Sequence, residues 1–177
     1  MLAEKSKLTV LVLASVLALS LSQTAFAAAS STAASYSFNL IGPNKAVAQA
    51  TIPGTPILAG DTIRFTGSGI FDTSKGTASG GGSFTHSKPG GTVFARGTWV
   101  VTGFQDFASY GGPSPGHQGG LLHVTVTLFG PEATFPGLTL QVSCLINAPS
   151  GAADEGATLP GLFSEPSGGN TLFHLNA

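Results

Sequence analysis

Residues 121–129, LLHVTVTLF, set Leu122, Val124, Val126 and Leu128 against His123, Thr125 and Thr127. A period of two held over this length marks a half-buried β-strand, the apolar set facing a core and the polar set facing outward or into a polar cavity. Residues 138–147 repeat the pattern, with Leu138, Leu140, Val142, Cys144 and Ile146 alternating with Thr139, Gln141 and Ser143. Gly130-Pro131-Glu132 and Pro136-Gly137 lie between the two runs, which predicts an antiparallel hairpin with a long loop.

The same grammar extends outward from this pair. Clusters of Gly, Pro, Asn and Asp recur between short runs rich in Val, Ile, Thr, Phe and Leu, and helical periodicity is almost absent. Further strands are expected over residues 36–41, 46–52, 62–66, 82–87, 93–107, 157–159 and 171–176. The tract 93–107 is apolar on both faces around Gly103, so a bulge or a strand shared by two layers is expected there. The fold predicted is all-β, an antiparallel barrel of eight or nine strands, with a two-sheet β-sandwich as the alternative. A transmembrane barrel is set aside because these runs are shorter than the roughly ten alternating residues such strands need.

Lys5 and Lys7 precede an uncharged apolar run, residues 8–21, and then Ala25-Phe26-Ala27, a small-x-small pattern. This predicts a signal peptide over 1–27 and a secreted protein, extracellular or periplasmic, with no stable membrane anchor once the signal is cleaved. Residues 28–35, rich in Ala, Ser and Thr, are expected as a flexible linker before a single β domain, 36–177. About 150 residues suffice for one core. Cys144 is the sole cysteine, so no internal disulfide supports the fold, and its place in the apolar set predicts an inert buried thiol.

Only 8% of the 177 residues are charged, against a usual share of about 25%. Seven Lys and Arg against eight Asp and Glu leave no basic footprint for a phosphate backbone, which argues against nucleic acid as a partner. With so few charges, each one is a candidate for a specific task. Asp61, Asp72 and Lys75 sit at turn-like positions. Asp106 lies between Phe104 and Phe107 and needs a hydrogen-bonding or cationic partner if buried, with Arg96 or His86 as the candidates.

Two glycine-rich tracts attract functional readings. Residues 76–82, GTASGGG, lack the Lys-Ser/Thr pair and following helix of a phosphate loop, so a tight bend entering a strand is expected. Residues 108–120, ASYGGPSPGHQGG, are expected as a long connection. They contain Gly112-Pro113-Ser114-Pro115-Gly116, the bare string G-x-S-x-G, but prolines flank Ser114 and no helix follows, so a nucleophile elbow is rejected. His86, His117, His123 and His174 show no short metal-ligand spacing, and no metal or cofactor is implied. His86 shares a face with Phe84 and points inward if Phe84 does. His123 lies on a polar face, where a solvated or cross-strand hydrogen-bonded role is expected.

Gly67-Ser68-Gly69-Ile70-Phe71-Asp72, followed by Gly76, resembles the glycine-phenylalanine hairpin of allene oxide cyclases and dirigent proteins. The likeness covers about ten residues. It implies an eight-stranded antiparallel barrel with substrates in the lumen. The tracts GGGSFTH (80–86), GTWVVTGF (97–104) and GGLLHVTV (119–126) also resemble small secreted bacterial β proteins of no assigned activity.

Three functions fit these residues. The first is a non-catalytic secreted module that binds a small apolar ligand or a surface partner. The second is a cyclase or isomerase with a luminal site, and the third is a structural matrix or surface protein. No complete catalytic constellation is present. The candidate ligand-binding residues are Phe84, His86, Arg96, Trp99, Phe104, Asp106 and Tyr110.

Overall fold

A computed structural model of the protein describes residues 34–176. The expected signal segment 1–27 lies outside the described residues, as does the expected linker up to residue 33. The described chain forms nine strands and no helix: β1 Ser35–Val47, β2 Thr62–Asp72, β3 Thr77–Ser87, β4 Val93–Ser114, β5 His117–Phe129, β6 Thr134–Cys144, β7 Gly156–Thr158, β8 Glu165–Pro166 and β9 Asn170–Asn176.

All nine belong to one antiparallel sheet, with the order β4-β3-β2-β1-β9-β5-β6-β7 and β8 on β1. One further pairing, β4 with β5, falls outside that linear path, and the β9–β5 step within it is a single residue pair. β4 pairs with β5 from Thr98↔Phe129 to Ser114↔His117, and Gln118 of β5 pairs with Phe173 of β9.

Alternation decides which side chains enter the core. Tyr36, Phe38 and Leu40 of β1 are buried, then a register shift between Leu40 and Asn44 passes the inward phase to Asn44 and Ala46. Phe71 occupies the centre, stacked on Tyr36 at 5.2 Å and on Phe104 at 6.0 Å, with Phe107 edge-on at 4.8 Å and Phe173 at 6.1 Å. Each fully buried aromatic or aliphatic side chain contributes about 1.5–3 kcal/mol. Rings at these separations add attraction beyond their buried area.

Several sequence expectations change. The runs 36–41 and 46–52 are not separate strands: the register shift joins them into β1, which ends at Val47. Residues 80–82 are not a bend, because they pair with Gly67–Gly69 as the continuation of the β2–β3 hairpin, whose turn is at residues 73–76. Their glycines answer a close approach. A β-carbon on Gly82 would overlap the Thr66 carbonyl oxygen, and one on Gly67 would lie 2.7 Å from the Trp99 ring.

Residues 108–120 are likewise no loop. β4 runs to Ser114 and β5 starts at His117, so only Pro115 and Gly116 join them. The long loop expected between β5 and β6 shrinks to residues 130–133, because β6 begins at Thr134. The expected irregularity at Gly103 is present as a register shift between Val101 and Gly103. Strand length also no longer separates this chain from a transmembrane barrel, since β1 to β6 each run 11 residues or more.

Candidate functional site

β4 carries four residues more than β5 over their shared ladder, two of them ahead of Asp106. The register shifts once between Val101 and Gly103 and again between Phe104 and Asp106. The second bulge keeps Phe104 and Phe107 directed to the core while Gln105 and Asp106, consecutive in sequence, both emerge outward. Two polar rows then cross the outer face of β4, β5 and β6.

In the first row, Asp106 stands opposite His123, and His123 opposite Gln141. His123 Nδ1–H donates to Asp106 Oδ1 at 2.7 Å, and Nε2 lies 3.1 Å from Gln141 Oε1. With the Nδ1 proton facing the carboxylate, Nε2 accepts from the Gln141 amide once the amide oxygen and nitrogen are exchanged, or donates when the ring is protonated. Either way both ring nitrogens are engaged. In the second row, Thr125 faces Thr139, and the Gln105 amide donates to both hydroxyls at 3.0 Å.

All of these polar groups but Thr125 line an open groove of about 600 Å³, whose apolar rim is Leu138, Pro160 and Leu162. The rim residues come from β6 and from the segment between β7 and β8. A smaller depression of about 260 Å³ lies at the end of the β2–β3 hairpin, beside Ser35 and Asp72. Asp72 caps that hairpin, accepting from Ser74 and from the Lys75 backbone and ammonium. The Lys75 ammonium and the Ser74 hydroxyl hold the Asp72 carboxyl far below the ordinary range.

A second polar cluster is interior. His86 Nε2–H donates to Asp61 Oδ2 at 2.7 Å, and Lys88 Nζ donates to the same oxygen at 2.9 Å and also to the Pro56 carbonyl. Asp61 is fully buried, and its other oxygen, Oδ1, has no partner. Burial pushes the Asp61 carboxyl up, but the Leu58 N–H, the Lys88 ammonium and His86 together hold it below the ordinary value. Phe94 and Phe163 flank the imidazole at 5.0 and 5.3 Å, and Lys88 sits 4.4 Å over the Phe94 ring.

The seven candidate residues therefore separate. Phe84 and His86 are both buried and share the inward face of β3, as their spacing implied. Trp99 is buried and donates its indole N–H to the Thr66 carbonyl at 3.0 Å. Phe104 joins the aromatic centre, while Tyr110 is half-buried toward the end of β4, its hydroxyl pKa raised by burial. Arg96 is exposed on β4.

The partner expected for Asp106 is corrected. Neither Arg96 nor His86 meets it, because the β4 bulges aim it outward to His123 while His86 points inward to Asp61. Asp61, expected only as a turn residue, does accept the Leu58 N–H in a turn but is also the anion of the buried cluster. Ser114 Oγ and His117 Nδ1 approach to 3.2 Å across the β4–β5 turn, at an exposed position, and no acid pairs with His117 among the described residues. The described residues hold no group of three or more His, Cys, Asp or Glu arranged for a metal ion.

Comparison with family models, with curated proteins and with solved structures gives no match to this chain.

Proposed function

We propose that the chain is a secreted, non-catalytic β-barrel module that binds a partner through the outer groove of β4, β5 and β6. The barrel reading is supported by the pairings, which run from β4 through β3, β2, β1 and β9 to β5 and return to β4. A membrane-spanning barrel is disfavoured by the direction of alternation. Most inward positions are aromatic or aliphatic, while outward positions such as Arg64, Thr66, Ser83 and Thr98 are polar and interrupt the exposed apolar residues, unlike a continuous lipid-facing wall.

The observation that carries the function is the pair of cross-strand rows, Asp106–His123–Gln141 and Gln105–Thr125–Thr139, held ready in an open groove with an apolar rim. A few fixed polar groups beside apolar surface suit recognition. Both nitrogens of His123 are occupied, so no free imidazole is presented to a substrate as a base, and this favours binding over catalysis. Within the interior, the rings around Phe71 lie in mutual contact, so the groove rather than a lumen is assigned the ligand.

The test is a thermal-shift screen of neutral oligosaccharides, fatty acids and terpenoids on the wild type and on a Gln105→Ala/His123→Ala variant. A groove ligand at 100 times its Kd raises the wild-type melting temperature by roughly 5–10 °C and leaves the variant unshifted. Equal shifts in both proteins, or no shift with any compound, would overturn the assignment.

A further inference from the structure

The five Lys and Arg side chains among the described residues divide into two sets. Lys75 is paired with Asp72, and Lys88 with Asp61. Lys45, Arg64 and Arg96 have no carboxylate within 4 Å among the described residues.

The sheet register brings those three together. Lys45 of β1 stands directly opposite Arg64 of β2, Arg64 opposite Thr85 of β3, and Thr85 opposite Arg96 of β4. Lys45, Arg64 and Thr85 point outward, because the neighbours that bracket them, Asn44 and Ala46, Ile63 and Phe65, Phe84 and His86, are buried, and Arg96, directly opposite Thr85, is exposed. Strands spaced about 4.8 Å apart put Arg64 and Arg96 about 10 Å from one another, with Thr85 between them. The adjacent outward row of the same strands carries Thr66, Ser83 and Thr98, with Thr66 and Ser83 hydroxyls 2.8 Å apart. The acid that the register brings nearest is Glu165, opposite Val47, and it makes no ion pair with Lys45 within 4 Å.

Like charges directly opposite one another destabilise a strand pair. In a chain with so few charges, the three cations without an ion pair among the described residues occupy a single row, where they cost stability unless an anion neutralises them. We infer that this outer face of β1 to β4 is a binding surface for an extended polyanionic glycan, a polysaccharide bearing sulfate or carboxylate groups. Guanidinium groups bind such oxyanions through two parallel N–H···O bonds, and the Arg64–Arg96 separation suits successive charged groups of a chain whose repeat is a disaccharide. The flat Ser and Thr row beside them offers donors and acceptors to sugar hydroxyls. This surface is separate from the β4–β6 groove and does not depend on it.

The experiment measures binding of the full chain to fluorescein-labelled dextran sulfate by polarisation, with neutral dextran and phosphatidylglycerol vesicles as parallel arms. The expected result is binding to dextran sulfate but not to neutral dextran, weakening steeply with added salt. Arg64→Gln/Arg96→Gln weakens it about tenfold or more, as two charge-assisted contacts are lost. Arg64→Lys/Arg96→Lys retains part of the affinity, and Lys75→Gln, which removes a cation elsewhere, changes it by less than about twofold. Unchanged Trp99 emission confirms that each variant is folded. The inference is overturned if the double Gln variant binds as the wild type does, if Lys75→Gln is equally damaging, or if the wild type binds only the vesicles or nothing. A Gln105→Ala/His123→Ala variant binds dextran sulfate normally, so failure here and failure of the groove reading are separate results.

Discussion

His86 Nε2 and Asp61 Oδ2 meet at 2.7 Å inside the protein, one residue from the end of β3 and the other just before β2, and Lys88 closes on the same carboxylate oxygen. The contact ties the connection between β1 and β2 to the β3 strand end. A buried carboxylate with one oxygen unpartnered is tolerated because two cation-capable side chains and a backbone N–H meet the other.

Asp61→Ala removes the anion from beneath both His86 and Lys88 and is expected to destabilise the fold by about 3 kcal/mol. Urea unfolding followed by circular dichroism measures the change. A loss under about 1 kcal/mol would show that the cluster contributes no more than an ordinary exposed pair.

Acid stability follows from the same group. The folded Asp61 carboxyl lies below its ordinary value of 3.8, so its contribution is complete above that pH and is lost as pH falls through the lower folded value. Asp61→Asn therefore starts less stable at neutral pH and shows a flatter decline below pH 4. Melting temperatures across that range check the slope.

Gly82→Ala drives a β-carbon into the Thr66 carbonyl and to within 2.7 Å of the Gly67 Cα, neither of which can yield without parting β2 from β3. It is expected to cost about 3 kcal/mol or more. Gly76, in the hairpin turn with a φ of 62° and open space around it, accepts Asn at a cost near 1 kcal/mol. A comparable cost at the two positions would contradict the packing account of the glycine tract.

Trp99 is the sole tryptophan and is 1% exposed, so its emission reports on the core without labelling. The folded spectrum is expected to be blue-shifted and to move red on unfolding. Trp99→Phe, which removes the donor from the Thr66 carbonyl and leaves space over Gly67, is expected to cost about 1–3 kcal/mol. The buried Cys144 thiol, whose pKa is raised by burial, should react with iodoacetamide only in unfolded protein.

Much of this architecture is legible where side chains display the period. Leu122, Val124, Val126 and Leu128 are all buried, and so are Leu140, Val142 and Cys144 of the paired strand. The strand ends at Gly67–Asp72 and Thr77–Gly82 stayed hidden because glycine has no side chain to alternate and also serves turns. Pro113 and Pro115 disguised the tip of the β4–β5 hairpin in the same manner.

The site was legible only as single residues. Asp106 stood out as a carboxylate between two phenylalanines, yet its partner depends on the bulge at Gln105, which periodicity does not encode. Asp61 beside Gly60 reads as a turn residue because it also is one. The Lys45–Arg64–Thr85–Arg96 row exists only in the register between strands, which a local pattern leaves undetermined.

The central claim is that partners are bound on the outer groove of β4 to β6. Its most direct measurement is amide chemical-shift mapping of the isotope-labelled protein with the compounds that pass the thermal-shift screen. Shifts concentrated at Gln105, Asp106, His123, Thr139 and Gln141, with Phe71, Trp99 and Phe107 unmoved, are the predicted result. Shifts concentrated at Phe71, Trp99 and Phe107, with the groove silent, would place the ligand in the interior and contradict the account.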